Sequence, residues 1–230
     1  MSLATFAAQS YQAHNRARLD HLASLGLDLY NKRVLEVGAG PGDHTGFYTT
    51  RGCEVVSTDA RVECIELLRA RFPRDVTAHV VDMNRPMPDF GAFDIVHCYG
   101  LLYHLERPDI AIRSMAAACR GLLLLETCVS MGREPDLNPV LENSQDFSQA
   151  FTGCGCRPNR SWVFKELKKS FMFVYLTRTQ PKHLEFPLDW TGATTAQFGG
   201  LTRSVFVGSR TPLDSLVFSD VLLDRQVHDI

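Results

Sequence analysis

The sequence predicts an α/β fold: a mostly parallel, seven-stranded sheet with helices on both faces. Three observations carry this expectation. Short apolar runs alternate five times with stretches of helical spacing in the first 130 residues, the rhythm of right-handed βαβ units. A glycine-rich turn follows the first run directly. Hydrophobic residues make up 45% of a 230-residue chain, enough for one sizeable core. A single domain over 1–230 is therefore expected.

Residues 1–32 form a helical lead-in, in which Leu19, Leu22, Leu25 and Leu27 among polar neighbours suggest an amphipathic helix. The cofactor-binding half, 33–129, opens with the strand Arg33–Val37, and the acidic Asp43 suits the start of the next helix. Strands are expected at Val55–Thr58, His79–Val81, Phe93–Cys98 and Leu122–Leu125, with helices at Val62–Phe72 and Pro108–Cys119 between them. Residues 130–160 lose the rhythm and are rich in Asn, Asp, Gly, Pro and Ser, so they read as an insertion or cap. The remainder, 161–230, restores a helix at Ser161–Ser170 and strands at Phe171–Leu176 and, after Gly199-Gly200, at Thr202–Val207.

The bulk properties exclude several classes. A net charge of −2, from 24 basic and 26 acidic residues, gives no broad field for nucleic acid. Seven scattered cysteines suit reduced thiols rather than a disulfide framework. Met1–Asn15 has neither the basic nor the apolar region of a signal peptide, and the longest apolar run, around Leu122–Leu125, is far too short to cross a bilayer. A cytoplasmic protein, monomeric or homodimeric and without a membrane partner, is expected.

The strongest signal is Glu36-Val-Gly-Ala-Gly-Pro-Gly42. A glycine turn after a strand lets backbone approach a ligand, while the following helix presents free N–H groups. A dinucleotide fingerprint would place its third glycine at position 43, where this chain has Asp43. Here the third glycine is Gly42 and an acid precedes the first by two residues. A carboxylate suits an ammonium group and would repel a pyrophosphate.

This pattern resembles the first motif of class I, Rossmann-like, S-adenosylmethionine-dependent methyltransferases. The resemblance continues with Asp59-Ala60 ending the second strand, Asp82-Met83 ending the third, and Cys98-Tyr-Gly-Leu-Leu-Tyr-His-Leu105 following the fourth. It covers roughly residues 30–130. It implies S-adenosyl-L-methionine as the cofactor: Glu36 and Gly38, Ala39, Gly40 and Gly42 at the methionine part, Asp59 and Ala60 at the ribose, Asp82 and Met83 at the adenine, Cys98 and Tyr99 beside them. An acid at Asp59 also fits NAD, whereas Asp82 has no systematic counterpart in dinucleotide enzymes.

A hydroxyl acceptor must lose a proton, which calls for a base near neutrality. His104 is the candidate, either as that base or as a group that shapes the pocket. His97, inside a strand, reads as a satisfied core histidine. Tyr103 and Glu126 at the strand rim, and Arg157 before a helix, are candidate substrate contacts, Arg157 through an anionic group. Glu142 and Gln145 of the insertion are further candidates to close over the acceptor. Cys154-Gly-Cys156 lacks a second ligand pair at metal spacing, so no metal is expected. The leading reading is O-methylation of a small hydroxylated, sugar-like acceptor. The alternatives are a tRNA- or RNA-modifying enzyme of the same fold, a non-catalytic S-adenosylmethionine-binding module and, more distantly, an NAD-linked oxidoreductase.

Overall fold

The computed structural model describes residues 4–192 and 201–229. Its ten strands are β1 Arg33–Val37, β2 Glu54–Asp59, β3 Val76–Val80, β4 Phe93–Tyr99, β5 Cys119–Cys128, β6 Pro139–Leu141, β7 Cys154–Cys156, β8 Phe173–Thr177, β9 Arg203–Ser209 and β10 Phe218–Ser219. The helices are α1 Ala4–Ala7, α2 Gln9–Ser24, α3 Thr45–Thr49, α4 Val62–Arg71, α5 Pro108–Ala118 and α6 Arg160–Lys168.

Eight strands form one sheet in the order β10-β8-β9-β5-β4-β1-β2-β3. The pairs β1–β2, β1–β4, β2–β3 and β4–β5 are parallel, while β9 runs antiparallel to both β5 and β8. The α/β class and mostly parallel sheet match the expectation. The count does not: two-residue β10 adds an eighth strand at the β8 edge. The strand order reverses between β1 and β4, and their C-terminal ends open a crevice there. That is where ligands bind in open α/β sheets.

The core lies on both sheet faces. One side gathers Leu35, Val96, Leu123, Phe206 and the buried side of α5; the other gathers Val34, Tyr48, Val55, Leu124 and Val207. Alternation along β1, β4 and β5 sends successive residues to opposite faces, so these nearly continuous apolar strands are covered twice.

Two local expectations are corrected and a third is extended. The helix after the glycine loop begins at Thr45, not Asp43: the loop continues through His44, and the Asp43 carboxylate pairs with Arg71 Nη1 at 2.9 Å. The third strand is Val76–Val80, pairing with Val55–Asp59; Val81 lies beyond it. The lead-in segment buries its leucines as expected, Leu22 and Leu25 fully with Leu19 and Leu27 packed against the same cluster, but α2 also buries a polar stripe of His14, Asn15, Arg18 and His21. Polar partners account for much of that buried stripe, since Arg18 pairs with Glu126, Asn15 with Arg18, and His21 Nε2 with Thr179 Oγ1 at 3.0 Å. The 130–160 insertion contains the antiparallel hairpin β6–β7. Gly199-Gly200 lies outside the described residues. All seven cysteines are free, and among the described residues no helix is long and apolar enough to cross a membrane.

Candidate functional site

A cleft of about 1050 Å³, its open mouth included, runs along the C-terminal rim of the parallel strands. Glu36 through Pro41, Asp59 through Arg61, and Val81 through Asn84 line one half; Asn15, Arg18, Tyr99, Tyr103, His104 and Arg203 line the other.

The first half begins where β1 ends. Gly38 has φ +72°, and a Cβ there would stand 2.7 Å from the Leu101 Cβ, so glycine alone keeps the loop against the turn after β4. Glu36 is 2% exposed and accepts from Thr45 Oγ1 at 2.6 Å and Ser57 Oγ at 2.8 Å. Burial raises its carboxyl to about 7 against those two hydrogen bonds. Asp59, at the β2 terminus, accepts from the Gly40 amide through Oδ2 and from the Arg61 amide through Oδ1, both at 2.9 Å. Asp82, beyond β3, accepts from the Asn84 amide at 3.0 Å, and Met83 is buried beside it. Acids thus stand at the ends of three adjacent strands above a tight glycine cradle. That donor set fits an ammonium group, vicinal hydroxyls and an exocyclic amine in succession.

The second half is built around His104. It ends a single 3₁₀ turn, Leu102–His104, that follows β4. Hairpin β6–β7 packs on this turn. A Cβ at Gly155 would lie 2.5 Å from the Tyr103 carbonyl oxygen, so the glycine of the Cys-Gly-Cys segment permits the close approach. The approach brings Glu142 to His104, with Oε2 2.5 Å from Nδ1. Arg157 Nη2 donates to Glu142 Oε1 at 2.8 Å and the Ala150 amide to Oε2 at 2.7 Å. Burial works to raise the Glu142 carboxyl, but bonds from His104, Arg157 and Ala150 prevail and hold it at about 2. An ionised carboxylate only accepts, so His104 donates through Nδ1 and keeps Nε2 as the basic atom. Burial lowers the His104 pKa, against the opposing pull of Glu142, so the ring is neutral near pH 7.

Glu126 is fully buried at the end of β5. Its Oε2 accepts from Arg18 Nη2 at 2.6 Å and its Oε1 from Arg203 Nη1 at 3.2 Å. Arg203 in turn reaches Tyr103 Oη at 3.2 Å and Glu185 Oε2 at 2.5 Å. The Tyr103 and His104 ring centroids are 3.9 Å apart.

Of the residues singled out from sequence, Glu36, Gly38, Ala39, Gly40, Asp59, Ala60, Asp82, Met83, Tyr99, Tyr103 and His104 line this one cleft. Four stand behind its wall. Cys98 is buried in the core, Gly42 packs against Phe72, Thr45 and Leu68, Glu126 is enclosed by its arginines, and Arg157 holds Glu142. Gln145 is exposed outside the cleft. His97, read from sequence as a core histidine, is buried and accepts from Tyr48 Oη through Nδ1 at 3.0 Å, yet it also reaches the floor of the cleft.

Sequence reasoning missed Asn15, Arg18, Arg61, Phe147 and Arg203. Arg61 Nη2 donates to the carbonyls of Ser144, Asp146 and Gln149 at 3.1–3.2 Å, fastening the insertion over the cleft. The signal for α2 was available: His14, Arg18 and His21 recur at helical spacing as a polar stripe. One further group, His14, His183 and Glu185, brings potential metal ligands within 4.8 Å of one another. The Arg203 guanidinium already occupies Glu185 there and opposes a cation.

Comparison with known proteins agrees with this geometry. A family model described as a methyltransferase domain matches residues 10–180, and the chain belongs to this family of class I S-adenosylmethionine-dependent methyltransferases. It is 34% identical over 93 residues to magnesium-protoporphyrin O-methyltransferase of Rhodobacter capsulatus, covering 39% of this chain and 41% of that protein. It is 31% identical over 122 residues to ubiquinone biosynthesis O-methyltransferase of Xanthomonas oryzae pv. oryzae, covering 50% of each. A tRNA U34 carboxymethyltransferase of Colwellia psychrerythraea is 31% identical over 136 residues, 56% of this chain and 41% of that one. The chain thus spans half or less of the length of these relatives.

Among solved structures, the SAH-bound N-terminal domain of EvdMO1 superposes with a TM-score of 0.65 at 21% identity, over 90% of this chain and 84% of that one. A methyltransferase from Mesorhizobium loti gives 0.62 at 14% identity, over 86% of this chain and 100% of that one. At such identities the likeness is one of fold.

Proposed function

We propose that this methyltransferase O-methylates a small hydroxylated acceptor, with His104 as general base and Glu142 as the group that orients it. The single observation behind this reading is the His104–Glu142 contact in the wall of the cofactor cleft. When bound, S-adenosylmethionine supplies an electrophilic methyl group on a sulfonium. Glu36, the Gly38–Gly40 loop, Asp59, Asp82 and Met83 are the residues that would hold it.

The protein's own work is positional. His104 Nε2 takes the acceptor hydroxyl proton, and Glu142 stabilises the imidazolium that forms. Tyr103, its ring tilted against that of His104 and its hydroxyl bonded to Arg203, sets the wall against which the acceptor lies. Phe147 and Phe151 from the insertion limit entry of water. Holding the reacting groups in line is worth roughly 7–11 kcal/mol. A hydroxyl must lose its proton as the methyl group arrives, the task a neutral histidine–carboxylate pair suits, and the chain's balanced charge disfavours RNA. The test is methyl transfer to hydroxylated acceptors by the wild type and by His104→Gln. Selective loss of kcat with cofactor affinity retained supports the base role. Equal rates with an unchanged pH profile remove it.

A further inference from the structure

The polar face of α2 finds protein partners for only part of its hydrogen-bonding capacity. Asn15, Arg18 and Tyr99 all line the acceptor half of the cleft, and they are 4%, 2% and 4% exposed. Three of their polar atoms, Asn15 Nδ2, Arg18 Nε and Tyr99 Oη, are buried without a hydrogen-bond partner in the protein. Buried polar groups are rarely left in that state.

The orientation of Asn15 is fixed from behind. Arg18 Nη1 can only donate, so the Asn15 atom 3.1 Å away is Oδ1. His44 Nε2, also 3.1 Å from Oδ1, must donate to it, which makes His44 Nδ1 an acceptor. His97 Nε2 then donates to His44 Nδ1 at 3.2 Å, and Tyr48 Oη donates to His97 Nδ1 at 3.0 Å. Burial keeps both imidazoles neutral, with His97 near 3. This directional chain turns the Asn15 amide nitrogen away from Arg18 and His44, toward the side of Tyr11, another residue of the cleft wall. Arg18 lies over the turn that follows β4: a Cβ on Gly100 would be 3.3 Å from its Nη2. Arg18 is linked to His104 through Glu126, Arg203 and Tyr103.

Charge decides what these donors receive. The guanidiniums of Arg18 and Arg203 share the Glu126 carboxylate, and Arg203 also pairs with Glu185. Two cations thus meet two anions, so a ligand carboxylate or phosphate would face no free charge. What remains unpaired is hydrogen-bonding capacity without free charge: N–H donors of Asn15 and Arg18, and the Tyr99 hydroxyl, which donates or accepts. Resting on the reading of this cleft as an acceptor site, we propose that the acceptor is a neutral polyol-like molecule. Its non-reacting oxygens are bound by Asn15, Arg18 and Tyr99, which moves Tyr99 from the cofactor, where the family resemblance placed it, to the acceptor.

The test uses the full chain, D-fucose as an oxygen-rich probe and phenol as a probe with one oxygen. Calorimetry with SAH comes first, and then saturation-transfer NMR on the SAH-loaded protein. D-fucose should bind the wild type, and Tyr99→Phe and Asn15→Leu should each weaken it about tenfold or more. SAH affinity should stay unchanged in both variants. The ligand-free Tm of Tyr99→Phe should not fall, because the hydroxyl it loses has no protein partner. The proposal is overturned if D-fucose fails to bind, if both variants bind it like wild type, or if phenol binding falls as much as fucose binding. It is overturned equally if SAH affinity drops in the variants, which would assign the donors to the cofactor, or if the Tm of Tyr99→Phe falls clearly. Failure of the wild type to bind SAH at all would instead break the reading of the cleft itself.

Discussion

Glu142 and His104 stand 38 positions apart in the chain, yet their side chains meet at 2.5 Å. A glycine-dependent packing of the β6–β7 hairpin on the turn after β4 makes that contact, and Arg157 holds it from the far side. The insertion therefore helps build the wall of the cleft as well as its cover.

The first prediction concerns His104. His104→Ala should lower kcat by about 10²–10⁴-fold, the usual worth of a general base, with SAH affinity nearly intact by calorimetry. Because burial lowers the His104 pKa, the neutral form persists below the ordinary histidine range. The wild-type rate should be flat above about pH 6.5 and fall only at lower pH. The alanine variant should lack that acid limb.

Glu142 and Arg157 follow from the same geometry. Glu142→Gln cannot favour the Nδ1–H tautomer through a carboxylate, so kcat should drop with little change in acceptor KM. Arg157→Ala should produce a smaller loss in the same direction. Steady-state kinetics of both variants decide it; a pure KM effect would place Glu142 in binding rather than in orientation.

A stability prediction rests on Glu126. Its removal as Glu126→Ala leaves two guanidiniums, each 4% exposed or less, without their shared anion. Breaking such a buried ionic group typically costs about 3–5 kcal/mol. Urea unfolding should register that loss. A change within about 0.5 kcal/mol, the range of ordinary surface substitutions, would mean the network is solvated in solution.

Glu36 supplies a pH-dependent signature of cofactor binding. Its carboxyl, raised by burial to about 7, is partly protonated in the free protein near neutrality. Pairing with an ammonium group favours the ionised form, so SAH binding should release a proton at pH 7 and tighten as pH rises through that value. Titrations in buffers of differing ionisation enthalpy measure it. The buried histidines make folding pH-dependent as well. Burial lowers His97 to about 3 and His21 to about 4, so below about pH 6.5 the unfolded chain takes up protons that the folded chain refuses. These groups add no penalty above pH 6.5, and stability should fall as pH drops from there toward their folded values.

The sheet and the cofactor half were legible in sequence because each motif sits at a strand end and is local: Glu36–Gly42, Asp59 and Asp82 need only their own strand to be placed. The acceptor half was not, because it is assembled over long range. Arg18 meets Glu126 across 108 positions and Arg203 meets Tyr103 across 100, pairings no periodicity announces. Glu126 was singled out as a substrate contact for its place at the rim, but burial turns it inward to its arginines. The leucines of the lead-in segment are buried as their spacing suggests, but that spacing does not announce the polar stripe buried beside them.

The central claim is that this site transfers a methyl group to oxygen. The most direct measurement supplies the enzyme with ¹³C-methyl-labelled S-adenosylmethionine and a set of polyols and catechols, then reads the product's methyl carbon by NMR. A resonance in the methoxy region that disappears in His104→Ala is the predicted result. A labelled methyl on nitrogen or carbon, or an O-methyl product formed equally fast by the variant, would contradict it.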